Sequence, residues 1–284
     1  MLLTALSPRW TFSHMAALIA AEQLKSSLGD ISIKFEPRNI DVLEDVAFRK
    51  GLGVVAYRNS TKGAGLVTQV VKDYWFEQNN GARIFAIGEI KLLVEHHVFV
   101  RSHVKSARQV DTLITHLHAH LQTRKKTHAL GLRGRRINAT STAEAARMVA
   151  NDSSLRNAAA IASKKAGEFY GLHLLFPNVE DEPGNTTRFH ILNAEPVGPT
   201  GNDKTVLIFQ TNNDRHAVHR VRNVIGGEGR DPPYIRPITS DESPLVAFFC
   251  EFSGHRDTDE GRETLNALRC EGNIAAFIGS FPKP

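Results

Sequence analysis

Cysteine is nearly absent: Cys250 and Cys270 are the only two in 284 residues, and both fall in the last fifth of the chain. Two thiols cannot staple a chain of that length, and no spacing of a cysteine metal site is present. A reducing, cytoplasmic compartment is the expectation. Long apolar runs are missing as well. Ala16 to Ala21 is apolar but bounded by His14 and Glu22, far short of the ~20 residues that cross a membrane. Met1 to Pro8 carries no basic region, and its apolar run is too short for a secretory signal. A soluble chain that is not exported is expected, with no membrane partner. Acidic excess is lacking too, the formal charge being +5. The densest cationic stretch is Arg124-Lys125-Lys126, followed by Arg133, Arg135 and Arg136. No aromatic residues interleave with it and no nucleic-acid motif accompanies it, so it reads as a solvated helix end and loop. Small anions are the partners such a chain attracts.

What is present is a globular composition, 41% hydrophobic and 23% charged, long enough for one large or two moderate domains. Leu2 to Leu6 reads as a short buried strand. It enters the loop Ser7-Pro8-Arg9-Trp10-Thr11-Phe12-Ser13-His14, and a helix follows from Met15 to Ser27. Strand, hydroxyl-rich loop and helix N-terminus together make an anion site, with Thr11 and Ser13 as candidates; alternatively Ser13 is only an N-cap. Ile31 to Phe35 alternates like a half-buried strand. Ile40 to Arg49 fits an amphipathic helix with Ile40, Leu43, Val46 and Ala47 on one face. Gly53 to Tyr57 is a third strand, leading to Arg58, Asn59 and Ser60. Leu66 to Phe76 reads as a helix, and Ile84 to Val94 and His97 to Val100 as strands of a second lobe. His116, His118 and His120 alternate, but residues two apart on a helix face different ways, so no metal is expected there. Ser141 or Thr142 caps a helix after the strand at Arg135 to Thr140. Ala158 to Ser163 is a buried strand, and Lys164 to Tyr170 a helix closed by Gly171.

The most informative stretch is Gly184-Asn185-Thr186-Thr187-Arg188-Phe189, followed by the apolar run His190-Ile191-Leu192. It places a short hydroxyl and a cationic fork at the mouth of a buried strand. Arg suits bidentate recognition of a carboxylate, and a Thr hydroxyl donates to a leaving oxygen. A turn with a surface Arg is the plainer reading of the same residues.

Asn185-Thr186-Thr187-Arg188-Phe189 resembles the "N-x-T-R-F" signature of prephenate dehydratases. Other segments in order support the likeness. Pro8, Thr11, Phe12 and Ser13 match the family's opening "G-P-x-G-T-F-S", with Ser7 and Trp10 in place of glycine. Asn59, Ser60 and Gly63 match "P-I-E-N-S-x-x-G", with Ala56, Tyr57 and Arg58 replacing Pro, Ile and Glu. Thr115, His116, Ala119 and Gln122 fall on "S-H-P-Q-A-x-x-Q-C", and Ser141 to Ala146 on "S-T-A-E-A-A". A bulky Trp10 is expected to narrow or close a pocket, and Arg58 to make the site more positive.

After the Pro/Gly-rich linker 195–203, the order is strand (Thr205 to Gln210), helix (His216 to Ile225), strand (Tyr234 to Ile238), strand (Leu245 to Phe252), helix (Arg262 to Arg269), strand (Ala275 to Gly279). That βαββαβ order is ferredoxin-like. It resembles the ACT domain that follows the dehydratase in this family, and Ile278-Gly279-Ser280-Phe281-Pro282 resembles its "L-G-S-Y-P" ending. The effector motifs are degenerate: His216-Ala217-Val218 stands for "G-A-L", and Arg236-Pro237 ends the counterpart of "E-S-R-P".

The resemblance implies an α/β fold. A two-lobed dehydratase domain with a periplasmic-binding-protein-like cleft spans 1–194, and an ACT-like regulatory or oligomerisation domain spans 204–284. It implies a lyase that converts prephenate to phenylpyruvate with loss of carbon dioxide and water, needing no metal or organic cofactor. Thr187 would donate to the leaving hydroxyl. Arg188 would hold a carboxylate or lock the Thr187 strand. Thr11, Ser13, Asn59, Ser60, Thr115, Gln122 and Phe189 would bind substrate. A homodimer or homotetramer through the ACT domains is implied. Phenylalanine control would be weakened, lost or redirected. Two alternatives remain: a prephenate decarboxylase that does not aromatise its product, and a non-catalytic ligand-binding homologue.

Overall fold

Strands rich in aliphatic residues alternate with amphipathic helices along most of the chain, which dictates sheets flanked by helices. The computed structural model describes residues 1–60, 73, 81–212, 216–226, 232–238 and 245–284. In chain order the first elements are β1 (Leu2–Leu6), α1 (Phe12–Leu28), β2 (Ser32–Glu36), α2 (Asn39–Arg49), β3 (Leu52–Asn59), β4 (Phe85–Leu93) and β5 (His97–Val100). Then come β6 (Thr112–Thr115), α3 (Leu117–Ala129), β7 (Arg135–Asn138), α4 (Thr142–Asn151), β8 (Ala158–Ala162), α5 (Lys164–Phe169), β9 (His173–Phe176) and β10 (Thr186–Asn193). The last are β11 (Asp203–Asn212), α6 (Ala217–Ile225), β12 (Tyr234–Pro237), β13 (Leu245–Ser253), α7 (Asp259–Glu271) and β14 (Asn273–Pro282). The helix expected over Leu66 to Phe76 lies outside the described residues except for Asp73.

The chain divides into two compact units. One is Met1–Leu6, Ile19–Lys91 and Arg188–Pro284; the other is Ser7–Leu18 and Leu92–Thr187. In the first unit a sheet has the order β2-β1-β3-β10-β4, with β1 parallel to β2 and β3. This corrects one expectation: β4 belongs to the first sheet, not to a second lobe. β10, nearly a hundred residues later, lies between β3 and β4, and sequence gives no cue to that insertion. Gly53 on β3 is needed because α2 crosses closely: a Cβ there would sit 2.6 Å from Val46 Cγ2.

The first unit also holds the antiparallel sheet β12-β13-β11-β14, whose strand order is that of the ferredoxin-like βαββαβ arrangement. Its period-two pattern sorts its two faces. Val206, Ile208, Ala247, Phe249, Ala276 and Ile278 join one cluster with Val42, Val46, Val55 and Leu192 of the first sheet and its helix. Leu207, Phe209, Phe248 and Phe252 turn the other way, onto Val221 and Ile225 of α6 and Leu265 and Leu268 of α7. Gly279, on β14, allows a close approach of the two sheets: a Cβ would lie 2.2 Å from the Ala86 carbonyl oxygen of β4.

The second unit carries a sheet of order β7-β6-β8-β5-β9. Its β8, Ala158–Ala162, is buried along its whole length, as a strand covered on both faces must be. Ser141 caps α4, accepting from Glu144 N, and Ser163 caps α5, accepting from Ala166 N. The sequence carries no clear signal for β9, because its exposed His173 and Leu174 dilute the apolar pattern.

Candidate functional site

From Thr186 onward the Asn-Thr-Thr-Arg-Phe stretch is β10 itself, with Asn185 immediately before it. Neighbouring strand residues point to opposite faces. Thr187 therefore shares a face with Phe189 and Ile191, and Arg188 shares the other with His190 and Leu192. Thr187 is 7% exposed. The Arg188 guanidinium is ion-paired with the Glu89 carboxylate of β4. That pair ties Arg188, and with it β10, to β4. Phe189, expected to touch substrate, is 1% exposed and is a core side chain.

Glu89 is the hub of a buried polar cluster in the first unit. Its side chain is wholly enclosed and pairs with both Arg188 and Lys204 of β11. Tyr57 on β3 donates its hydroxyl to Glu89 Oε2 at 2.6 Å. Lys204 Nζ also lies 3.3 Å from Glu251 Oε2 of β13, and Arg58 Nη1 lies 3.7 Å from that same oxygen. The Arg58 guanidinium stacks on Tyr234, 3.5 Å from the ring centroid. Arg58 is thereby committed to Glu251 and Tyr234, which corrects the expectation that it adds positive charge to the substrate site. Burial pushes the Glu89 carboxyl up, but Lys204, Tyr57 and Arg188 outweigh it and hold it below the usual carboxylate range. Burial raises the Tyr57 phenol well above its ordinary value, so it stays a donor. His190 stacks on Tyr57 with ring centroids 3.6 Å apart. Burial, helped by Lys204, lowers its pKa to about 3, so the ring is neutral.

In the second unit a smaller cluster supports the approach to Thr187. Asn185 Nδ2 donates to Gln122 Oε1 at 3.1 Å. His96 Nε2 lies 3.1 Å from the same oxygen. An amide oxygen only accepts, so His96 carries its proton on Nε2. His96 Nδ1 is buried without a hydrogen-bond partner among the described residues. Burial lowers the His96 pKa and keeps it neutral. The Asn185 carbonyl accepts from Val94 N at 2.8 Å. Gln122 is thus not an exposed helix residue; it ties α3 to the residue two before Thr187. Thr115 ends β6 fully enclosed. His116 caps α3, its Nδ1 accepting from His118 N.

Around α1 the structure reassigns the cap. Thr11 Oγ1 donates to the Pro8 carbonyl at 3.0 Å and accepts from His14 N at 3.3 Å. Ser13 lies within the first turn of α1. Trp10 has φ 68°, the left-handed region that favours glycine. Its ring does not stand free: it lies 4.8 Å from the Phe169 ring and 5.0 Å from His14, against the core beneath α4 and α5. Asn59 is half-buried at the end of β3, where parallel sheets place ligand contacts, and Ser60 is exposed just beyond it. Of the effector positions, His216 precedes α6 without a side-chain cap bond, Ala217 opens the helix, Val218 is 36% exposed, and Arg236 and Pro237 are exposed on β12.

The residues missed from sequence are Glu89, Lys204, Glu251, His96 and, as a participant, Tyr57. A lone acid inside the apolar strand Phe85–Leu93, and a lysine heading the apolar strand at 203–212, were usable signals. Charges so placed must find partners.

The profile of the prephenate dehydratase family matches residues 4–197. A bifunctional chorismate mutase/prephenate dehydratase of Stutzerimonas stutzeri is 32% identical over 282 residues, covering 98% of this chain and 72% of that protein. Among solved structures, a prephenate dehydratase of Arthrobacter aurescens in complex with L-Phe superimposes with a TM-score of 0.79 at 22% identity, covering 100% of this chain and 90% of that one. A structure described as GqqA, a novel type of quorum quenching acylase, superimposes with a TM-score of 0.75 at 22% identity, covering 100% and 98%. The fold is therefore the expected one, a periplasmic-binding-protein-like α/β arrangement followed by a ferredoxin-like module. One fold hosts several chemistries, so the reaction rests on the site and the family. No helix among the described residues is long and apolar enough to cross a membrane.

Proposed function

The chain belongs to the prephenate dehydratase family, and from that premise we propose that it converts prephenate to phenylpyruvate, releasing carbon dioxide and water. The ring carboxylate leaves as carbon dioxide. Its electron pair moves into the ring, and the ring hydroxyl departs with one added proton as water. Aromatisation drives the step. The protein must hold two carboxylates and supply a hydrogen bond or proton to the leaving oxygen.

Thr187 carries this reading: a nearly buried hydroxyl on a strand whose next residue is locked by Glu89. Its own pKa is too high for ordinary acid work. It acts as a preorganised donor, or relays a proton, in a site shielded from water. Thr11 and Ser13, with the first amides of α1, receive a carboxylate. Asn59, Ser60, Thr115 and Gln122 orient the ring and its oxygens. Arg188 positions the Thr187 strand.

Residues 1–194 form the catalytic domain, and 204–284 an ACT-like domain for regulation and assembly into a homodimer or homotetramer. His216, replacing a glycine of the family pattern, weakens, abolishes or redirects phenylalanine control. The protein works in the cytoplasm, a placement supported by two free cysteines, one of them buried.

The test incubates purified protein with prephenate near neutral pH and follows products by absorbance and mass. Phenylpyruvate is expected, with turnover of Thr187→Ala lower by roughly two to three orders of magnitude. Full activity of Thr187→Ala would sink the assigned role. A decarboxylated, non-aromatic product would move the chain to the alternative decarboxylase. Prephenate bound without turnover would make it a binding protein.

A further inference from the structure

The family profile ends at residue 197, yet the carboxylate that holds Arg188 is itself held from beyond that point. We infer that Lys204, the second residue of the C-terminal sheet, is a positioning residue for the dehydratase reaction: through Glu89 it fixes Arg188, and with it the strand that presents Thr187. The inference rests on the reading of Thr187 given above and extends it to a part of the chain treated so far as regulatory.

The geometry carries the claim. Glu89 uses one oxygen for Arg188 and the other for Lys204 and Tyr57. Lys204 is 115 residues distant in sequence but reaches Glu89 because its face of β11, shared with Val206 and Ile208, packs on the first sheet. A fully enclosed carboxylate is tolerated only when its charge is matched. Arg188 is 28% exposed at its side chain, whereas Lys204 is 9%, so Lys204 is the partner less screened by water. Glu251, itself paired with Arg58, holds Lys204 from the far side. Tyr57 and Arg58 are two of the positions at which the chain departs from the family pattern, and both belong to this cluster. The anchor is thus a property of this chain's own residues.

Removing the lysine leaves Glu89 facing Tyr57 from β3, Arg188 and the neutral His190 from β10, and Glu251 from β13, with Arg58 behind Glu251. Burial then acts on Glu89 with less opposition, and its proton is released at higher pH than in the wild type. A protonated Glu89 no longer ion-pairs with Arg188.

The experiment is a cycle of Lys204→Met, Glu89→Gln and the double variant in the full chain, read as kcat, KM and the pH profile of kcat/KM. Lys204→Met is expected to lower kcat roughly 10- to 100-fold with KM changed less than about threefold, the signature of a misplaced catalytic strand. The acid limb of its kcat/KM profile is expected to move to higher pH, which loss of packing alone does not do. In the Glu89→Gln background the further effect of Lys204→Met is expected to vanish. Active wild type with unchanged kcat in Lys204→Met, or effects that multiply in the double variant, would overturn the inference. Urea midpoints of the same variants give a second cycle, independent of turnover. Additive losses there overturn the anchor whatever the reaction, whereas inactive wild type with coupled midpoints refutes only the reaction and leaves the anchor standing.

Discussion

Replacing Tyr57 with Phe removes one hydroxyl from a side chain that is 0% exposed and leaves the ring, its stacking on His190 and the surrounding apolar contacts in place. The hydroxyl donates at 2.6 Å to an enclosed carboxylate. Hydrogen bonds to charged groups contribute ~1.5–3 kcal/mol. Glu89 keeps Lys204 and Arg188, so the expected loss is about 2 kcal/mol near pH 7. For a chain of this size that corresponds to roughly 4–8 °C in melting temperature. The pH dependence has a definite sign. Burial raises the Glu89 carboxyl, but Lys204, Tyr57 and Arg188 bring it below its ordinary value. A carboxylate depressed in the folded state contributes stability above its unfolded pKa of about 4.3, and loses it as pH falls through the folded value. The Tyr57→Phe deficit should therefore be full near pH 7 and shrink once Glu89 is protonated. Urea denaturation of both proteins across that range measures it. A deficit below about 0.5 kcal/mol at pH 7, or one that grows on acidification, would refute the assignment of Glu89 as a buried, ionised acceptor.

Two further substitutions probe the packing that holds the site. Gly279→Ala places a methyl group 2.2 Å from the Ala86 carbonyl oxygen; backbone must move, so a loss of about 1–3 kcal/mol is expected, and unchanged urea midpoints would show that β14 and β4 lie farther apart. Trp10→Gly relieves a left-handed tryptophan, φ 68°, worth ~1–2 kcal/mol, but gives up the ring's contacts with Phe169 and His14. The second effect is larger, and a net loss of about 1–2 kcal/mol is expected; a Gly variant at least as stable as the wild type would show that the ring contributes little.

Departures from a family pattern have local explanations once side chains are placed. Trp10 keeps the glycine-like backbone and finds room by lying on α5. Arg58 reverses the charge at its position and meets Glu251, an acid 193 positions further on. What matters is which face of which strand each occupies.

The sequence by itself determined the elements and their class. Period-two alternation marked β2, a hydroxyl cap marked α4, a closing glycine marked α5, and the order of strands and helices after residue 203 announced a ferredoxin-like module. These are local properties, set by backbone preference and by which neighbours can share a face. Tertiary structure alone decided that β10 inserts between β3 and β4, which put Thr187 and Arg188 on a strand, on opposite faces, rather than in a turn. It alone decided that Glu89, Lys204, Tyr57, Glu251 and Arg58 form one cluster. Charges far apart in sequence are brought into contact only when two sheets bury their apolar faces together. Nothing in the residues near any one of them encodes which partner the packing will bring.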